Sequence, residues 1–140
     1  TLAGGTLRQA HVVLDNHLPP DLPPVLGQAI AIEQVLVNLF TNARDALTAR
    51  PPDARRLRLT ASHDDTHVTL ELADTGPGIP EAVLSRIFEP FFTTKGAGRG
   101  TGLGLSICHA AMREMGGSIT ARNTPEGAAF RLVFRRVPQG

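Results

Sequence analysis

The sequence predicts an α+β domain, a mixed and mostly antiparallel sheet covered on one face by helices. Three observations lead there. Residues 57–62 and 67–72 alternate apolar and polar side chains with period two on either side of Asp64-Asp65-Thr66, the pattern of a hairpin. Between about residues 27 and 50, Ile30, Val35, Leu36, Leu39, Ala43, Ala46 and Leu47 recur at helical spacing, and Pro51-Pro52 lies just past the end. Strands that run as hairpins beside two main helices place those helices on one side of a sheet.

The other elements follow in chain order. Residues 1–10 are small and polar, a frayed end or the remnant of an upstream segment. Residues 11–15 read as a strand, ended by the proline-rich 18–24, where prolines forbid a central strand and leave an edge or a loop. A loop broken by glycine and proline covers 74–80, and a short helix covers 81–87. Residues 88–101 are expected to be irregular. A second main helix spans 102–115, terminated by Gly116-Gly117. Strands at 118–122 and 129–137 flank a turn at 123–127.

Composition sets the outer bounds. At 140 residues the chain is expected to form one domain, with its core over about 8–137. Its 41% hydrophobic and 19% charged residues suit a globular fold with a real core. A net charge of +1 offers no footprint for sequence-blind nucleic-acid binding and no polybasic membrane tail. Cys108 is the only cysteine, which excludes an internal disulfide and a Cys-clustered zinc site. No apolar run approaches the roughly 20 residues that span a bilayer, and the opening residues lack the features of a signal peptide. The expectation is a cytoplasmic domain, complete in itself or cut from a longer protein. One region is chemically unlike the rest. Phe88, Phe91 and Phe92 fall within five residues, the single lysine Lys95 follows, and glycines alternate at 96, 98, 100, 102 and 104.

Three constellations carry chemistry. Asn38 and Asn42 are four apart and share a helix face, with Asp45 following on it. Paired amides on a mostly apolar helix need partners for their oxygens. Either a hard cation such as Mg²⁺ supplies that need, or both cap a neighbouring loop. Asp74-Thr75-Gly76-Pro77-Gly78-Ile79-Pro80 comes straight off a strand, so Asp74 either accepts a hydrogen bond from an amine or closes an Asx-turn on its own backbone. Gly100-Thr101-Gly102-Leu103-Gly104-Leu105-Ser106 opens a helix, where exposed amides favour anions. It lacks the Gly-Lys-Ser/Thr ending of a Walker A loop and does not fit Gly-x-Gly-x-x-Gly, so a merely flexible loop also stands.

In this order the motifs resemble the ATP-binding catalytic domain of bacterial sensor histidine kinases, within the gyrase, heat-shock-90, histidine-kinase and mismatch-repair ATPase superfamily. Residues 33–43 are similar to that family's N box, 74–80 to its G1 box, 87–95 to its F box and 100–107 to its G2 box. Phe88-Glu89-Pro90-Phe91-Phe92-Thr93-Thr94-Lys95 looks most like the nitrogen-regulation and dicarboxylate-sensing branch. The resemblance implies a two-layer α/β sandwich of the Bergerat type with a flexible ATP lid at 93–101, its base anchored by Phe88, Phe91 and Phe92. It implies that Asp74 accepts a hydrogen bond from the adenine amino group, with Gly76, Gly78 and Ile79 shaping the pocket. Asn42, helped by Asn38, would hold Mg²⁺ against the phosphates of ATP. The amides around Gly100, Thr101, Gly102, Leu103, Gly104 and Leu105 would meet the phosphate chain. Lys95 either reaches a terminal phosphate or stands solvated. Asp45 is a further ATP-binding candidate, standing where some relatives place a basic residue near the phosphates. Ala128 replaces a Thr that supports the site in many, so weaker hydrogen bonding without loss of function is expected at that turn.

Such a kinase phosphorylates a histidine on a separate helical dimerisation domain. His11, His17, His63, His67 and His109 do not offer that setting, so the acceptor is expected on a domain this chain lacks, with a response regulator as the next partner. The isolated domain is expected to be a monomer without membrane contact of its own, in a parent protein that is membrane-anchored or not. A stand-alone serine kinase of the anti-sigma-factor type is the alternative reading. An ATP-hydrolysing switch is disfavoured: relatives that hydrolyse ATP carry a Glu one turn before the metal-binding Asn, and Asn38 there cannot take a proton. A nucleotide-free interaction module is disfavoured by the intact boxes.

Overall fold

A computed structural model describes residues 11–90 and 104–138. In chain order its elements are strand β1 (Val13–Asn16), helix α1 (Ala29–Leu47), a 3₁₀ turn (Pro52–Ala54), strands β2 (Arg56–His63) and β3 (His67–Asp74), helices α2 (Glu81–Leu84) and α3 (Gly104–Glu114), and strands β4 (Ser118–Asn123) and β5 (Ala128–Arg135). The strands form one sheet in the order β1-β2-β3-β5-β4. β1 runs parallel to β2 and the other pairs are antiparallel.

The period-two pattern divides the sheet into two faces. Register aligns Leu59, Leu72, Phe130 and Ala121 in one cross-strand row, and Ala61, Leu70, Leu132 and Ile119 in the next. These rows meet Val35, Leu39, Ala43 and Leu47, one per turn of α1, and Cys108 and Met112 of α3. Both main helices therefore cover the same face, as expected. The opposite face carries Arg58, Thr60, Glu71, Arg122 and Arg131. There Glu71 accepts hydrogen bonds from Arg122 at 2.7 Å and Arg131 at 3.3 Å, which hold its carboxyl below the usual range.

Several boundaries differ from expectation for local reasons. α1 begins two residues late because Gly27 has φ +156° and Gln28 is still extended. β1 is shifted to Val13–Asn16 by its pairing with residues 56–59. The proline-rich stretch ends beside the sheet: Leu26 N–H donates to Arg135 O and Val137 N–H to Pro24 O. α2 is a single turn, after which Arg86 and Glu89 make turn bonds. α3 closes with Gly117 N–H donating to Met112 O at 2.8 Å and Gly116 at φ +79°, a left-handed helix stop.

Candidate functional site

Asp74 is the last residue of β3, and the pleat turns its side chain to the helix-covered face, where it is 6% exposed. Its Oδ1 accepts from Gly76 N–H at 2.9 Å, which is the Asx-turn, and from Ala128 N–H at 3.3 Å. Among the described residues nothing donates to Oδ2. The two readings of Asp74 thus fall on different oxygens: one closes the turn and the other remains for an amine donor. Burial pushes the carboxyl above its usual 3.8, and the two backbone donors oppose that rise.

The loop after Asp74 is tied down at both ends. Thr75 Oγ1 donates to Ala54 O at 2.6 Å and accepts from Arg56 N–H at 3.0 Å. Gly76 is buried, and a Cβ there would lie 3.0 Å from Asp74 Oδ1 and 3.4 Å from Ala46 Cβ. Gly78 has φ +83°, a conformation suited to glycine. Beyond it, Asn123 Oδ1 accepts from Ile79 N–H at 2.7 Å and Asn123 Nδ2 donates to Ile79 O at 2.6 Å. Gly127 passes so close that a Cβ would be 2.9 Å from both Asp74 Oδ1 and Gly76 N.

α1 and α3 carry the described residues of the N and G2 boxes. Asn38, Asn42 and Asp45 are half-buried on α1. The Asn38 side chain hydrogen-bonds the buried Cys108 sulfur, whose thiol burial pushes up in pKa, and its Oδ1 is 4.0 Å from where a Cβ on Gly104 would stand. The first asparagine therefore joins the helix that bears the glycine-rich box. Asp45 pairs with Arg44 at 3.1 Å. Leu105 packs against the core, and Phe88 stacks on His109 at 5.4 Å and meets Phe130 edge-on at 6.4 Å. That contact anchors the described part of the F box and gives His109 a packing role. Lys95, Gly100, Thr101, Gly102 and Leu103, like Phe91, Phe92 and the expected lid, lie outside the described residues.

Among the described residues, no group of three or more His, Cys, Asp or Glu is placed to hold a metal, and no helix is long and apolar enough to cross a membrane. Amide oxygens from Asn42 and Asn38 are hard donors that suit Mg²⁺, which keeps most of its shell as water and phosphate. A cavity of about 140 Å³ near Arg56, Arg58, Thr75 and Glu126 touches Asp74 from the β1–β2 side, away from Asn38 and α3. Of the four boxes, only Asp74 and Thr75 at the start of the G1 box line it.

Sequence reasoning missed Asn123, Gly127 and the anchoring of Thr75. Residues 123–127 read only as a turn, and nothing in their spacing links them to Asp74. Ala128 contributes through its main chain, whose 3.3 Å bond to Asp74 requires no hydroxyl.

Residues 27–138 match the histidine kinase-, DNA gyrase B- and HSP90-like ATPase family. The chain is 50% identical over 132 residues to the two-component sensor PprA of Pseudomonas aeruginosa, covering 92% of this chain and 14% of that protein. It is 47% identical over 111 residues to the C4-dicarboxylate transport sensor protein DctB of the same organism, covering 79% and 18%. It is 37% identical over 129 residues to the nitrogen regulation protein NtrY of Azorhizobium caulinodans, covering 89% and 16%. The chain spans less than a fifth of the length of each of these three relatives. In fold it resembles the nucleotide-free catalytic domain of histidine kinase ThkA, with a TM-score of 0.82 and 31% identity over 98% of this chain and 88% of that one. The same kinase in complex with response regulator protein TrrA matches with a TM-score of 0.79 at 30% identity, covering 98% and 38%. With its boxes, sheet order and helices in agreement, the chain belongs to the histidine kinase-, DNA gyrase B- and HSP90-like ATPase family, and its likeness there is to the catalytic domains of two-component sensor histidine kinases.

Proposed function

We propose that this chain is a single ATP-binding catalytic domain that donates the γ-phosphoryl group of Mg-ATP to a histidine on the dimerisation domain of a longer sensor kinase. The observation that carries the reading is Asp74: a buried carboxylate with one oxygen fixed by two backbone amides and the other left for a donor. Adenine offers such a donor in its exocyclic amine. Gly76, Gly78 and Ile79 border that contact. Asn42, with Asn38 one turn before it, would hold Mg²⁺, which neutralises phosphate charge when bound. The amides of residues 100–105 would meet the phosphate chain, and Lys95 would reach its terminus. Arg44 matches the charge of Asp45, so this pair does not repel the phosphates.

The transfer is positioning chemistry. An imidazole nitrogen attacks the γ-phosphorus, the bond to the β–γ bridging oxygen breaks, ADP departs, and the imidazole gives up its proton to solvent. Asn38 cannot act as a base toward water, which favours transfer over hydrolysis. The acceptor would come from the parent's own dimerisation domain and the phosphoryl group would pass to a response regulator. ATP places the domain in the cytoplasm, whether or not the parent is anchored in a membrane.

The test joins this domain to the dimerisation region of a PprA-type relative and supplies γ-labelled ATP. Label on the acceptor that survives base and is lost in acid marks phosphohistidine, the expected result. Acid-stable label on a serine would favour the anti-sigma-type reading instead, and overturn the histidine assignment.

A further inference from the structure

We infer that Asn123 is a positioning residue that sets the shape of the adenine-binding loop. The inference rests on the nucleotide reading of Asp74. Asn123 ends β4 and pairs with Ala128 at the start of β5. Its amide meets both polar groups of the Ile79 backbone, at 2.7 Å to N–H and 2.6 Å to C=O. Two bonds of opposite sense fix both peptide planes that flank Ile79, where one bond would leave them free to rotate.

The loop has few other means of holding that shape. Pro77 and Pro80 carry no N–H, so residues 77–80 have only two amides, and Ile79 supplies the one that Asn123 engages. Gly78 is left-handed, and a Cβ on it would lie 3.1 Å from Asn123 Oδ1 and 3.5 Å from Gly127 O. The 123–128 turn thus reaches the loop at two places: Ala128 N–H holds Asp74 Oδ1, and Asn123 holds Ile79. Asp74 and Ile79 bracket the proposed adenine contact, so one turn sets the distance between its two sides. Pro80 then accepts from Val83 and Leu84, which starts α2 and leads to Phe88.

The contact predicts a selective defect. In Asn123→Ala, ADP affinity should fall about tenfold or more, as expected when a binding group is released from its bound geometry. Affinity for tripolyphosphate, which has no base, should stay as in the unaltered domain. Asn123→Asp keeps the acceptor for Ile79 N–H but sets a carboxylate against Ile79 O, and should show an intermediate loss of ADP affinity. The measurement is calorimetric titration below the melting temperature of each variant. A folded Asn123→Ala domain with unaltered ADP affinity overturns the inference, as does an equal loss for ADP and tripolyphosphate, which would mark general damage. If Asn123→Ala does not fold, hydrogen exchange of the Ile79 amide in the unaltered domain reads the same contact: protection supports it and exchange at the free-chain rate overturns it. Absence of ADP binding by the unaltered domain would instead reject the nucleotide reading itself.

Discussion

Asp74 combines two properties that oppose one another. Its carboxylate is out of water, which penalises the charged form, while two backbone amides offset part of that cost. Because the folded value is raised above 3.8, ionised Asp74 lowers stability at neutral pH, and the loss is recovered as pH falls through the raised value. On the proposed adenine reading, recognition uses the charged form and should weaken over the same range. Asp74→Asn keeps an oxygen for Gly76 and Ala128 N–H but presents an amide where a carboxylate met the donor. At neutral pH its melting temperature should match or exceed that of the unaltered domain, while ADP binding is lost. Titration and melting of both forms at several mildly acidic pH values check this. The affinity of the unaltered domain should fall with pH while the variant shows no such fall. Retained affinity in a folded Asp74→Asn would contradict the assignment.

At the scale of elements, the sheet rows and helix stripes determine the core. Leu132 is fully buried at the centre of β5, opposite Leu70 and Ile119. Leu132→Ala should cost about 2–5 kcal/mol, read by denaturant unfolding, because the sheet and both helices close around the site and cannot collapse into it. The hairpin of β2 and β3 and the position and buried stripe of α1 were legible in the sequence, since alternation and a helical stripe are local signals, although α1 is shorter at both ends than the expected 27–50. β1 was displaced because an edge strand takes its register from its neighbour. The site divides the same way. Asn38, Asn42 and Asp74 could be read because their side chains carry the chemistry. Asn123 and Gly127 could not, because the Asn123 amide reaches the Ile79 backbone and Gly127 passes Asp74 only once the β4–β5 turn lies beside the loop. Ala128 was placed by the resemblance, but its main-chain bond to Asp74 was not.

At the scale of the molecule, the described part of the proposed site lies on the helix-covered side of the sheet. Helices α1 and α3 cover the sheet face to which Asp74 turns, and Asn38 links the two helices, while the far face carries the Glu71 ion pairs, half-exposed and so worth little to stability. On the proposed reading this arrangement binds the nucleotide and the acceptor histidine comes from a separate domain; the chain spans less than a fifth of the sensor proteins it resembles. The most direct test of the account is calorimetric titration of the domain with ADP and AMP-PNP, with and without Mg²⁺, and with GDP for comparison. The account predicts micromolar binding that favours adenine and tightens with Mg²⁺. A folded domain that takes up no adenine nucleotide at millimolar concentration would contradict it.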